Sequence, residues 1–271
     1  MSVLDAPTTS ARMLRSSEEA ERLVVAWQHP IERKISPVGF LTYDGSTYRF
    51  AYIKNALRVK DFRPLLGFPN LRGSYSSDEL FPLFAQRAME PRRPDYQRYV
   101  ERLGLAGEPG PWEQISRSQG RRQGDTLQLL PEPTLDNGTL TSLFLVHGMR
   151  HAHEDLHVLA DREVRVTRGQ VEGALRRLKA GDELLLAREP GNRHNPLALM
   201  VVEAAVPVGW VPDLLVENLQ RLMRSAHVQV LVEHVNGPDA PWHMRLLVRL
   251  RATSAGDFRF FTREQWAPLA R

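Results

Sequence analysis

The chain of 271 residues contains no cysteine. That absence removes disulfides, thiolate metal sites, iron–sulfur clusters and cysteine nucleophiles. Long apolar runs are missing as well. The longest, in "ELLLAREP" and "LALMVVEAAVPVGWV", break well short of the ~18 residues a membrane span needs. No apolar segment follows a basic start, so no secretory signal is expected. Lysine is scarce. Of 36 Lys and Arg, four are lysine (Lys34, Lys54, Lys60, Lys179), leaving 32 arginines. Common catalytic signatures are lacking too: there is no GxxxxGK[ST], GxGxxG, HExxH or GxSxG. The carboxylates are scattered, and no clustered pairs suggest a two-metal nuclease. The plain expectation is a soluble, cytoplasmic protein with no membrane partner, no cofactor and no enzymatic activity.

What is present fits a globular chain. Apolar residues make up 42% and charged residues 25%, enough to bury a real core. The net charge is +4 and the isoelectric point about 9.6. Arginine offers a planar fork that grips phosphate and stacks on bases, which suits a nucleic-acid partner. A GC-rich genome would produce the same bias.

Residues 1–17 read as a mobile tail. Residues 18–105 read as an N-terminal α+β module. "SSEEAERLV" predicts a helix capped by Ser16 or Ser17, followed by a strand in "LVVAWQHP". "VGFLTYDGSTYRFAYI" predicts a hairpin turning at Asp44-Gly45. A cap at Ser76, Ser77 or Asp78 predicts a helix carrying Leu80, Phe81, Leu83 and Phe84. "RPDYQRYVERLGL" predicts another, ended by Gly104. Residues 106–140 are rich in Gly, Pro and Ser and read as a linker, although "DTLQLLPEP" has the composition of a strand. Residues 141–271 alternate short β-rich runs with two helical stretches, as a small barrel with a packed helix would. The fold class expected is α+β, with two β-rich modules.

Two stretches concentrate chemistry. "HGMRHAHEDLH" holds His147, His151, His153 and His157 at odd positions, which one straight strand would place on one face. Imidazoles so placed would suit Zn, Cu, Ni or Fe and open a metal-dependent nuclease or hydrolase reading. Gly148 argues against a straight strand, and unligated loop histidines are the other reading. The second stretch, "REPGNRHNP", sets Arg188, Asn192, Arg193, His194 and Asn195 between two apolar runs. Gly, Pro and Asn are ordinary turn formers, so a purely structural loop stands beside a binding loop. Trp210 and Trp242 serve either a core or a base stack. Arg121-Arg122 in "SQGRRQGD" reads as a phosphate contact or a solvated pair.

The ordered set "FLVHGMRH", Gly181-Asp182, Arg188-Glu189-Pro190, Asn192, Ala198 and Val208-Gly209-Trp210-Val211-Pro212 resembles the HIRAN domain, over roughly residues 142 to 224. That family occurs in DNA-repair and replication-fork remodelling proteins. The resemblance implies an OB-like small β-barrel that captures the 3′ end of single-stranded DNA. It implies phosphate contacts by Arg150 and Arg188, and a role for Asn192 in holding the loop or a terminal nucleotide. His151 stands where the family often has an aromatic, and His194 where it has a stacking tyrosine, with Arg193 beside it at the loop apex. Asn195 replaces the aspartate that accepts from the terminal 3′-hydroxyl, and Leu197 replaces an asparagine. The hairpin at 38–53 resembles the small β subdomain that begins HipA-type toxin kinases, without their kinase core. Bacterial proteins that join such a module to a HIRAN-like one are similar to this chain in "PDYQRYVERLGL", "RSQGRRQGD" and "FLVHGMRH". The expected partner is single-stranded DNA or its 3′ ends, with a partner protein engaged through the N-terminal module. The alternative is a protein–protein adaptor in a toxin–antitoxin or defence system.

Overall fold

The computed structural model describes residues 20–121, 125–159 and 162–270. The tail at 1–17 and Arg122 lie outside them. The first strand, β1 (Glu21–Gln28), has Leu23 and Val25 buried on one face and Val24 on the other. An element buried on both faces reads as a continuous apolar run. The strand expected in "LVVAWQHP" is therefore present, held between β2 and β5, and it begins two residues earlier, at Glu21, within the stretch expected to be helix. β2 (Ile35–Tyr43) and β3 (Tyr48–Tyr52) form the expected hairpin. At its turn the Asp44 carboxylate accepts the amides of Ser46 and Thr47, and Gly45 supplies a φ of 95°.

The helix expected after Ser76 is displaced. Ser74–Ser77 form β4, an edge strand on β3, and only Pro82–Ala85 turn into α1. Pro82 is acceptable at a first helical position and would break a helix running through from Ser76. The next helix, α2 (Tyr96–Arg102), runs where the pattern placed it and gives way to Gly104 at a φ of 65°. Within 106–140 lie α3 (Pro111–Ser118), β5 (Leu127–Pro131) and β6 (Thr134–Asp136). β5 completes the first antiparallel sheet, ordered β4-β3-β2-β1-β5.

The second half adds β7 (Thr139–Leu145), a two-stranded hairpin of β8 (His157–Leu159) and β9 (Arg162–Val164), and α4 (Arg168–Arg177). Then come β10 (Glu183–Arg188), β11 (Leu199–Glu203), β12 (Val206–Trp210), α5 (Asp213–Leu222), β13 (His227–Val235) and β14 (Leu246–Thr253). Thr167 caps α4, and Gln170 reaches back to the Thr167 amide. The larger sheet runs β12-β11-β10-β13-β14-β7-β6 and is antiparallel throughout.

The fold is therefore α+β. The OB-like barrel expected from the sequence is not closed by a ladder: the larger sheet ends at β12 and β6, and a single bridge joins His147, just past β7, to Trp210 of β12. The chain turns away at Gly148, φ 65°, before more pairs can form. α5 buries Leu215, Leu219 and Leu222 in the same cluster as Val201, Val208 and Val248. Val24, Phe40 and Leu130 of the first sheet, and Ile53 just past β3, belong to that cluster as well, so the two halves of the chain meet through apolar contact. Ion pairs reinforce the meeting, from Arg102 to Asp239 and from Arg117 to Glu233.

Candidate nucleic-acid interface

The loop between β10 and β11 is built around Glu189. Its carboxyl group is buried at the end of an apolar strand. One oxygen, Oε2, accepts from Asn192 Nδ2 and from the Trp210 indole Nε1, each at 2.7 Å. The other, Oε1, lies 2.7 Å from His157 Nδ1. His157 is fully enclosed, and its Nε2 lies 2.8 Å from the Ala152 carbonyl. A carbonyl only accepts, so Nε2 carries a hydrogen and Nδ1 faces the carboxyl group. A buried polar group costs several kcal/mol unless bonded. Here each donor and acceptor of the knot has a partner, and the knot ties the loop to β8 and β12.

Asn192 and Asn195 are occupied in the same way. Asn192 Oδ1 accepts the amides of His194 and Asn195, both at 3.0 Å. Asn195 Oδ1 accepts the Leu197 amide, and its Nδ2 donates to Asp213 Oδ1 at 2.9 Å, on the first turn of α5. Gln220 of α5 donates to the Leu197 carbonyl and accepts from Arg188 Nη2, each at 2.7 Å. Turn chemistry thus consumes both asparagines, and the loop is fastened at both ends. Arg193 and His194 stand exposed at its apex, and neither side chain has a partner among the described residues.

The 147–157 segment lies beside this loop because His157 reaches Glu189. It does not gather its histidines. His147 sits at the seam, its Nε2 2.7 Å from Gln119 Oε1. Burial, with Arg121 and His243 nearby, holds its imidazole well below the ordinary value. His151 accepts from Arg150 Nε at 2.8 Å and pairs through Nδ1 with Glu154, whose acidity that bond increases. His153 stacks on Trp242 at 6.3 Å between ring centroids, and His157 is committed to the Glu189 knot. No three His, Cys, Asp or Glu side chains among the described residues are placed to hold a metal.

Both tryptophans have fixed partners. The Trp210 face lies against Gly148, where a Cβ would meet ring carbon Cε3 at 2.5 Å. Trp242 lies under the guanidinium groups of Arg245 and Arg168, at 5.2 and 5.6 Å. The sequence reading missed Glu189, Trp210 and Gln220 as the supports of the loop. A signal was present: an acidic residue just past the apolar run "LLLAR" must find donors once its carboxyl is buried.

No family model matches the chain, and no curated protein matches it. Two solved structures are similar. A Lactobacillus plantarum protein solved by a structural-genomics consortium is 18% identical, with a TM-score of 0.30, over 42% of this chain and 97% of its own. The HIRAN domain of human HLTF is 14% identical, with a TM-score of 0.26, over 44% of this chain and 79% of its own.

Proposed function

We propose that the chain binds nucleic acid without transforming it, holding single-stranded DNA across the 188–195 loop and the 147–154 turn, in DNA repair or replication maintenance. One observation carries this reading: the loop spends its carboxyl and both asparagines inward and leaves Arg193 and His194 outward, rigidly mounted and unpartnered. Such an apex offers a phosphate fork and a flat ring for a base, and base stacking contributes about 1–3 kcal/mol. Arg150 and Arg188, exposed and steadied by His151 and Gln220, extend the phosphate contact. Asn192 and Asn195 act as the scaffold that sets the apex. Capture of a 3′ end is the finer form of the proposal, with the Asp213 carboxyl group, held by Asn195, as the acceptor for a terminal hydroxyl.

Fluorescence anisotropy with single strands ending in 3′-hydroxyl or 3′-phosphate, and with blunt duplex, tests the reading. Tighter binding of the 3′-hydroxyl strand is expected. Equal binding of both strands removes end capture and leaves strand binding. Failure of all three to bind at low salt removes the nucleic-acid reading.

A further inference from the structure

The exit from α3 carries a cation that the loop face does not account for. Gln119 and Gly120 both adopt positive φ, 57° and 56°, and this double turn sets Gln119 against His147 and leaves Arg121 beside the 147–154 turn. Arg121 is half-buried, yet its side chain has no hydrogen bond or carboxylate partner among the described residues. Other buried or part-buried arginines differ. Arg245 makes a two-pronged pair with Glu172 at 2.9 and 2.8 Å, Arg249 makes one with Glu233 at 2.9 and 2.7 Å, and Arg87 pairs with Asp125. Burial first, and then the like charges of Arg150 and Arg33, make the Arg121 proton less tightly held. Arg33 sits in the β1–β2 turn, exposed and with no side-chain partner among the described residues. Next to this group, the buried Gln119 keeps its Nε2 without a hydrogen-bond partner.

A half-buried guanidinium without a counter-ion, within the influence of two like charges, stays unfavourable until an anion reaches it. We infer that a strand bound at the loop face continues onto the first half of the molecule, where Arg121, together with Arg33 and Arg150, takes a backbone phosphate. This rests on the nucleic-acid reading above and adds a second contact region to it, contributed by the segment around the α3 exit. A planar fork is suited to the bidentate grip that phosphate oxygens offer.

The test compares the intact protein with R121A and R33A on single-stranded DNA of about four and about twelve nucleotides, within the range of site sizes for single-strand binders. On the longer strand each substitution is expected to weaken binding roughly two- to fivefold, the size of one screened ionic contact. R121A should also flatten its salt dependence by about 0.7 in log–log slope. The short strand should bind the variants and the parent alike. Because Arg121 has no acidic partner, R121A should melt no lower than the parent, which separates lost binding from lost folding. Unchanged affinity and salt slope on the long strand, with the parent binding both lengths, overturn the inference and leave the loop-face reading standing. Equal weakening on both lengths overturns it as well. A parent protein that binds neither length overturns the underlying reading, and the inference with it.

Discussion

At the scale of single residues, Glu189 decides the shape of the loop. Replacing it with alanine strands Asn192 Nδ2, Trp210 Nε1 and His157 Nδ1 together. Removing one side of a buried polar pair costs on the order of 3 kcal/mol. E189A should lower the urea midpoint accordingly, with the slope unchanged. His147 gives a pH signature. Its folded value is depressed by burial first and by Arg121 and His243 next. The folded ring stays neutral while the unfolded chain takes up a proton. Its contribution is therefore complete above the unfolded value, about pH 6.5, and is lost as pH falls below it. Urea midpoints measured from about pH 7 to pH 5 should fall less steeply in H147Q than in the parent. The inward roles of Asn192 and Asn195 were half legible, since turn preference was visible in "PGNRHNP". The Asn195 partner was not, because Asp213 lies 18 positions further on.

At the scale of elements, the second half was legible as short β-rich runs alternating with two helical stretches, which the structure holds as α4 and α5. The misreadings have physical causes. Glu21 and Arg22 read as the end of a helix because "SSEEAER" is polar and acidic, whereas the strand expected from Leu23 onward is present in β1. Ser74–Ser77 carry no apolar signal because β4 is an edge strand whose pairing comes from its backbone. The β8–β9 hairpin went unseen because its strands are three residues each. The seam between β12 and the end of β7 depends on Gly209, whose φ of 154° and missing Cβ admit the His147 carbonyl; a Cβ there would lie 2.6 Å from that oxygen. G209A should cost about 1–3 kcal/mol. In hydrogen exchange it should deprotect the His147 and Trp210 amides, which bond across the seam at 2.8 and 2.9 Å, well before those of the β13–β14 ladder.

At the scale of the whole molecule, one apolar cluster takes Val24 and Phe40 from the first sheet and Val208 and Val248 from the second. Sheets that share a core lose it together. Urea unfolding followed by tryptophan fluorescence, with Trp27 and Trp112 in the first half and Trp210, Trp242 and Trp266 in the second, should coincide with unfolding followed by far-ultraviolet circular dichroism. Two separated transitions would show that the halves fold independently. Among the described residues no helix is long and apolar enough to cross a membrane.

The knot under the loop also has a kinetic consequence. A loop fastened by Glu189, Asn192, Asn195 and Gln220 has little freedom to surrender when a ligand arrives, and no hinge to swing. Strand capture should then be a single-step encounter: stopped-flow traces fit one exponential, the observed rate rises linearly with protein concentration without reaching a plateau, and added salt slows arrival. Cutting the knot with E189A should introduce a concentration-independent phase as the apex reorganises around its ligand. The loop would then have changed from a preformed receptor into one that must search for its shape.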